Sequence, residues 1–458
     1  MSEQPRYGLR ESILSQWETI AQSLSNIAPT ASPALILPLV IAASGRSAWI
    51  SVMIATIAVV LIALHVNVFT RDSATPGSLF TFVSGEFGPW AGILAGWALL
   101  IAYIATAGAV SSGILLYLQG LVGPTLTAPV LASVPLILAM ALGGSLAYRN
   151  VELSTRVMLC LECASVTTIL VLFVFPSHAH RLGWDPAQFG AGAFRGGPVL
   201  AGILIATFGF TGFESAAALG AEAVAPHRTI PRALLGTAIA SGVLFTFCTY
   251  AEVAAVEPQL GVLGSGNAAL QVIARLKGVG WVGPIVSVGA MVSFFACVMA
   301  CLTAASRTAL MMGMRGVLPA SVSRVHERHR TPHVAVVIAA ILGIVPAAVL
   351  ILSHINASDT TEWLGEIATY GFMTGYALIV VAAPVRLFRR GQLTAGRATL
   401  SVLTIGLIAV AVIGSVPTGG TGPEQWLPYV YLGVLVTGCL CSAALAIRGR
   451  IAEAAPLP

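Results

Sequence analysis

Charge is the scarcest property of this sequence. Asp, Glu, Lys and Arg make up 9% of its 458 residues, and Lys277 is the single lysine. A water-facing domain carries about a quarter charged residues, so most of this chain's surface does not face water. Cysteine is missing from the connecting segments. Cys160, Cys163, Cys248, Cys297, Cys301, Cys439 and Cys441 all fall in apolar runs, which excludes a disulfide framework. Cys160 and Cys163 have no second pair or histidine cluster to complete a metal site. All seven are expected to be small buried apolar residues.

Catalytic constellations are lacking too. The eight histidines (His65, His178, His180, His227, His326, His329, His333, His354) lie mostly in loops and do not converge with carboxylates, which argues against an enzyme. A channel needs polar rings or filter loops repeated in several spans, and the runs here are too apolar. No low-complexity tract or long linker divides the chain, and no cofactor is expected. A cleavable leader is not expected either, since Met1 to Ile20 mixes Glu and Arg with other polar residues.

What the sequence has is long apolar runs, within a composition that is 57% hydrophobic. About 20 apolar residues form a helix that crosses a hydrocarbon core of roughly 30 Å. Twelve spans are expected: 24–44, 48–69, 90–118, 129–147, 154–176, 198–222, 232–255, 281–311, 332–354, 363–387, 398–417 and 427–447. An even number leaves both termini on one side. Of the 23 basic residues, Arg46, Arg181, Arg195, Arg275 and Lys277 lie on one side, and the other 18, from Arg6 to Arg450, lie on the opposite side. Positive residues stay inside, so both termini are expected in the cytoplasm of a multi-pass cell-membrane protein. This bias accounts for the net charge of +5 without a nucleic-acid partner. His326, His329 and His333, set among arginines in the long loop after span 8, read as a solvated basic connector in preference to a metal site.

Two spans are interrupted. Span 1 contains Ser25-Asn26-Ile27-Ala28-Pro29-Thr30-Ala31-Ser32-Pro33, and each proline lacks an N–H and clashes with the preceding turn. Span 6 contains Phe208-Gly209-Phe210-Thr211-Gly212-Phe213-Glu214, two glycines and a carboxylate at mid-membrane. Breaks in the first and sixth spans are expected if spans 1–5 and 6–10 are inverted halves, whose broken helices line a site near the bilayer midplane. The chain then divides into a cytoplasmic segment 1–23, a core 24–387, and two added helices with a short tail, 388–458.

Three stretches carry a family resemblance. They are Thr75-Pro76-Gly77-Ser78-Leu79-Phe80 with Gly88-Pro89-Trp90 and Gly96-Trp97; Phe210-Thr211-Gly212-Phe213-Glu214 with Glu222 and Pro226-His227-Arg228-Thr229-Ile230-Pro231-Arg232-Ala233; and Ser306-Arg307 with Arg315-Gly316-Val317-Leu318-Pro319 and Thr331-Pro332. In order and spacing they resemble the amino acid–polyamine–organocation permeases, over nearly the whole chain. The resemblance implies an all-α integral membrane protein with twelve transmembrane helices and a LeuT-like 5+5 inverted repeat, helices 1 and 6 broken. It implies transport of amino acids by alternating access, with a lipid bilayer and a small-molecule substrate as partners and no obligate protein partner.

Many members of the family carry a Gly-Ser-Gly type run in the first break, where this chain has Pro29-Thr30-Ala31. Pro29 cannot donate, so the anion nest has fewer donors and less room, and a polyamine or other organic amine is the alternative substrate. Ile27, Ala28, Thr30, Ala31 and Ser32 are expected to face Phe208, Gly209, Phe210, Thr211 and Gly212 across the substrate, with Phe208 as an aromatic gate. Tyr103, Phe294 and Phe295 are further wall residues. Glu162 or Glu214, well inside spans 5 and 6, is expected to carry the coupling proton for symport or exchange. Sodium is the competing driving ion, with Thr303 or Ser306 as ligands.

Overall fold

The computed structural model describes residues 7–123, 126, 128–174, 185–190, 196–257, 268–414 and 422–445. Arg6, His178, His180, Arg181, Arg195, Arg448 and Arg450 lie outside the described residues, as do the last residues of the fifth, eleventh and twelfth expected spans.

The described chain is all-helical, with one isolated β-bridge between Leu14 and Ala223. In order, the helices are α1 (Gln16–Ile27), α2 (Leu37–Ser44), α3 (Ala48–Thr70), α4 (Ser78–Phe87), α5 (Pro89–Val122), α6 (Pro129–Arg149), α7 (Val151–Val174) and α8 (Pro186–Phe189). There follow α9 (Gly196–Phe208), α10 (Pro226–Val256), α11 (Ala269–Leu276), α12 (Gly283–Met314), α13 (His333–Leu352), α14 (Ala357–Arg389), α15 (Ala395–Gly414) and α16 (Leu427–Leu445). Among the described residues, ten helical runs are long and apolar enough to cross a membrane. The first, Gln16–Thr70, holds both the first and second expected spans, which part at Gly45 (φ +61°). The α15 helix is a shorter apolar one.

Local chemistry sets the ends. The first helix begins eight residues before its apolar run because Ser15 and Glu18 form a reciprocal capping box. Pro89 starts α5 directly after Gly88, whose φ is +87°. The α5 helix is the centre of the fold, with α12 and α14 packed along it. Small residues permit this: a Cβ on Gly371 of α14 would lie 2.5 Å from the Ala98 carbonyl oxygen of α5. Close backbone approach of this kind is how helices associate in lipid, where no hydrophobic force drives them together.

The outward faces of the helices are apolar, as lipid contact requires. Cys160, Cys163 and Cys441 lie on such faces, so these three are exposed where burial was expected; Cys248, Cys297 and Cys301 are buried. The periodicity of a lipid-crossing run is too weak to separate lipid-facing from core-facing cysteines. His326, His329 and His333 gather around the Tyr148 ring at centroid distances of 5.5, 5.7 and 5.9 Å. Among the described residues, no group of His, Cys, Asp and Glu is arranged to hold a metal.

Candidate functional site

Both expected breaks are present. The α1 helix stops at Ala28, which caps it in the left-handed conformation at φ +52°, its N–H donating to Leu24 and Ser25 carbonyls. Pro29 and Thr30 form a turn, and the chain resumes as a π-helical stretch, Ser32–Ile36, before α2. The α9 helix stops at Phe208. Gly209 to Gly212 form turns, Gly212 has φ +90°, and a 3-10 stretch Phe213–Leu219 follows. A left-handed residue at each break is costly for Ala28 and free for Gly212, and such strain concentrates at functional sites.

The breaks are laced together by side chains bonding to opened backbone. The Ser32 hydroxyl donates to the Gly209 carbonyl at 3.0 Å, and Asn26 Nδ2 donates to the Gly212 carbonyl at 3.1 Å. Ser23 donates to the Phe213 carbonyl, and Ser215 donates back to the Gln22 carbonyl. The Ala31 and Ser32 amides both donate to the Ala28 carbonyl. Ile27, Ala28, Thr30, Ala31, Ser32, Gly209, Phe210, Thr211 and Gly212 are all buried. The Phe210 ring packs at a tilt against Phe245 of α10, centroids 5.0 Å apart. Phe208 is half-buried, its ring tip reaching over Gly365 of α14.

The two mid-membrane carboxylates differ in their surroundings. Glu214 accepts from Tyr103 of α5 at 2.7 Å and from Tyr376 of α14, whose hydroxyl also receives the Gly212 N–H at 3.0 Å. Two hydroxyl partners satisfy the carboxyl group, and they tie the span 6 break to two neighbouring helices. Glu162 of α7 accepts through Oε2 from Ser293 of α12 at 2.9 Å and from Ser165 at 3.2 Å, and the Ser25 hydroxyl of α1 lies near the carboxylate. Ser165 in turn receives the Thr30 hydroxyl at 2.9 Å. A line of hydroxyls therefore runs from the span 1 break to Glu162.

The further wall residues do other things. Tyr103 holds Glu214, Phe294 packs edge-on to Tyr117, and Phe295 lies against Gly143 of α6. Ser306 donates to the Thr303 carbonyl and receives Arg307 Nη1. Arg307 is fully buried in a two-pronged pair with Glu222, Nε to Oε2 at 2.8 Å and Nη2 to Oε1 at 3.0 Å.

An amino acid permease family model matches residues 14–440 of the chain, both breaks included. The chain belongs to the amino acid permease family. It is thereby a member of the amino acid–polyamine–organocation superfamily and a multi-pass membrane transporter. This permease is 23% identical over 363 residues to a branched-chain amino acid permease of Bacillus subtilis, covering 75% of this chain and 74% of the relative. It is 28% identical over 349 residues to an uncharacterized transporter of Mycobacterium tuberculosis, covering 74% and 71%. It is 27% identical over 295 residues to a low-affinity putrescine importer of Escherichia coli, covering 62% and 63%.

Sequence reasoning passed over Asn26, Tyr376, Ser165 and Ser293. Asn26 carried a usable signal, a side-chain amide in an apolar span two residues before the Ala28-Pro29 break. The serines and Tyr376 carried none, because single hydroxyls are common in membrane helices and gain meaning only from what they touch.

Proposed function

We propose that this permease is a secondary active transporter of amino acids, working by alternating access in the cell membrane with both termini cytoplasmic. Polyamines or other organic amines are the second class, and the similarity to a putrescine importer favours keeping it. The observation that carries the reading is the paired interruption of the helices at Ala28–Thr30 and Gly209–Gly212, cross-bonded and buried together. It supports twelve spans, the first ten forming two inverted halves, with residues 1–23 preceding the core and α15 and α16 appended to it. The substrate lies between Ile27, Ala28, Thr30, Ala31 and Ser32 on one side and Phe208, Gly209, Phe210, Thr211 and Gly212 on the other. To admit it, the cross-bonds of Ser32 and Asn26 exchange for bonds to substrate, and Phe208 closes over it.

Transport is proton-coupled, by symport or exchange. Of the two expected carriers the geometry favours Glu162: Glu214 is held by two tyrosines, whereas Glu162 is joined by hydroxyls to the break. Protonation at Glu162 thus reaches the substrate site through Ser165 and Thr30. Sodium stays the competing ion: Ser306 is occupied in holding Arg307, whereas the buried Thr303 hydroxyl has no hydrogen-bond partner.

Two measurements check this. Purified protein screened for thermal stabilisation should respond to an amino acid, since a ligand at 100 times its dissociation constant adds about 2.7 kcal/mol. Response to diamines alone moves the assignment to the second class, and response to neither removes both. In proteoliposomes, Glu162→Gln should retain substrate exchange and lose accumulation driven by a proton gradient. Accumulation equal to wild type takes Glu162 out of the mechanism.

A further inference from the structure

Glu252 of α10 stands apart from the other embedded carboxylates. It lies one turn inside the C-terminal end of the helix and is fully buried, and neither Oε1 nor Oε2 has a hydrogen-bond partner. Both oxygens are closed off from solvent. Glu214 and Glu162, by contrast, each accept two hydroxyls.

The charged groups on neighbouring elements are engaged elsewhere. Arg46, between α2 and α3, pairs with Glu257. Lys277, after α11, donates to the Leu172 and Phe173 carbonyls at the end of α7, and Arg275 of α11 is exposed. His65 of α3 bonds to Ser401 of α15, Glu18 of α1 pairs with Arg156, and Glu214 is held by its tyrosines. The titratable groups within electrostatic reach of Glu252 are Cys248, one turn back on α10, and Tyr117 of α5. Among the described residues no ion pair includes Glu252.

An ionised carboxylate without water or partner costs several kcal/mol, so in this packed arrangement Glu252 is the neutral acid. The ligand small enough for the site is a proton. The elements packed around this end are α11 and the Ser32–Ile36 stretch, both in contact with α10 and with each other, and Tyr117 of α5 joins them. Its hydroxyl donates to the Ala34 carbonyl of the π-helical stretch at 3.0 Å and lies beside the Leu270 backbone of α11, and its ring packs on Phe294 of α12. Two turns back on α10, Phe245 packs at a tilt against Phe210 of the span 6 break.

We propose that Glu252 is a proton-binding site that gates closure of the outer side. With the termini cytoplasmic, its end of α10 faces outward. While α11 and the Ser32–Ile36 stretch stand apart from α5 and α10, water reaches the carboxylate. Closure expels that water, and the carboxylate takes a proton from the outer solution first, leaving a neutral acid in the packed state. The inference rests on the alternating-access reading above and is separate from proton coupling at Glu162.

The test is substrate exchange in oriented proteoliposomes, where no net proton movement is needed, with the outer pH varied. Wild-type exchange should fall about tenfold per unit of rising outer pH once Glu252 ionises, while Glu252→Gln should vary by less than about twofold. Glu252→Asp, which still titrates, should keep the pH dependence with a displaced profile. A wild-type pH profile in Glu252→Gln overturns the proposal. So does loss of exchange in that variant when it elutes as folded protein, since a neutral side chain should close the gate. Absence of exchange in the wild type with every amino acid and amine removes the transport reading itself.

Discussion

Glu222→Ala should lower the stability of this permease by about 3–5 kcal/mol, because it strands a buried guanidinium. Arg307 and Glu222 are both fully buried, joined by two hydrogen bonds, and Arg307 Nη1 is also bonded to the Thr303 carbonyl and Ser306 hydroxyl. Removing the carboxylate leaves the charge with neutral partners alone, in a place water does not reach. The backbone at Glu222 adds a second consequence. Its carbonyl receives the Ile13 and Leu14 amides at 2.8 and 2.9 Å, and the Val224 amide donates back to Leu14, so the chain before α1 is pinned to the segment after span 6. Loosening Glu222 should therefore also open this side of the molecule. Thermal melts in detergent check the magnitude. Replacing both partners by apolar residues of similar volume should recover most of the loss, since an intact buried pair contributes little net stability. Arg390→Ala is the contrast: its pair with Asp72 is well exposed, so the change should stay within about 1 kcal/mol. Equal effects at Arg390 and Glu222 would show that burial of the pair is not what matters.

The second large effect is expected at Gly212. At φ +90°, a Cβ there would lie 1.9 Å from Asn26 Nδ2 and 2.8 Å from its Cγ. The left-handed backbone costs an L-residue about 1–2 kcal/mol, and the clash forces Asn26 off the Gly212 carbonyl. Loss of that bond uncouples the two breaks in the closed state, so Gly212→Ala should lower stability by about 3 kcal/mol and reduce uptake. Gly406→Ala in α15, where a Cβ would meet nothing within 4 Å, should leave transport unchanged and add up to about 1 kcal/mol of helix stability. Uptake is measured on protein that elutes as a single folded species. Full activity in Gly212→Ala would show that the bond between the breaks is not part of the transport machinery.

The positions of the helices and of both breaks were legible in the residues because each is a local property. Apolar run length sets a span, the missing N–H of Pro29 opens span 1, and glycine at 209 and 212 lets span 6 unwind. Glu162 and Glu214 stood out because a carboxylate inside an apolar run is conspicuous by itself. Glu252 was passed over because it sits close to the end of its span, where a carboxylate is ordinarily wetted; here the helices packed on α10 bury it. Likewise Phe210 looked like part of the break, and its ring turns out to belong to the packing against α10.

Composition and the order of residues along the chain thus determined that this protein crosses the membrane repeatedly, where its helices run and where two of them come apart. Only the tertiary structure decided which carboxylates have partners. Glu214 meets tyrosines 111 and 162 residues away, Glu162 meets a serine 131 residues away, and Glu252 meets no donor among the described residues. The physical reason is that a carboxylate's charge state depends on the donors and water within a few ångströms. Those neighbours come from helices far apart in sequence, brought together only by packing.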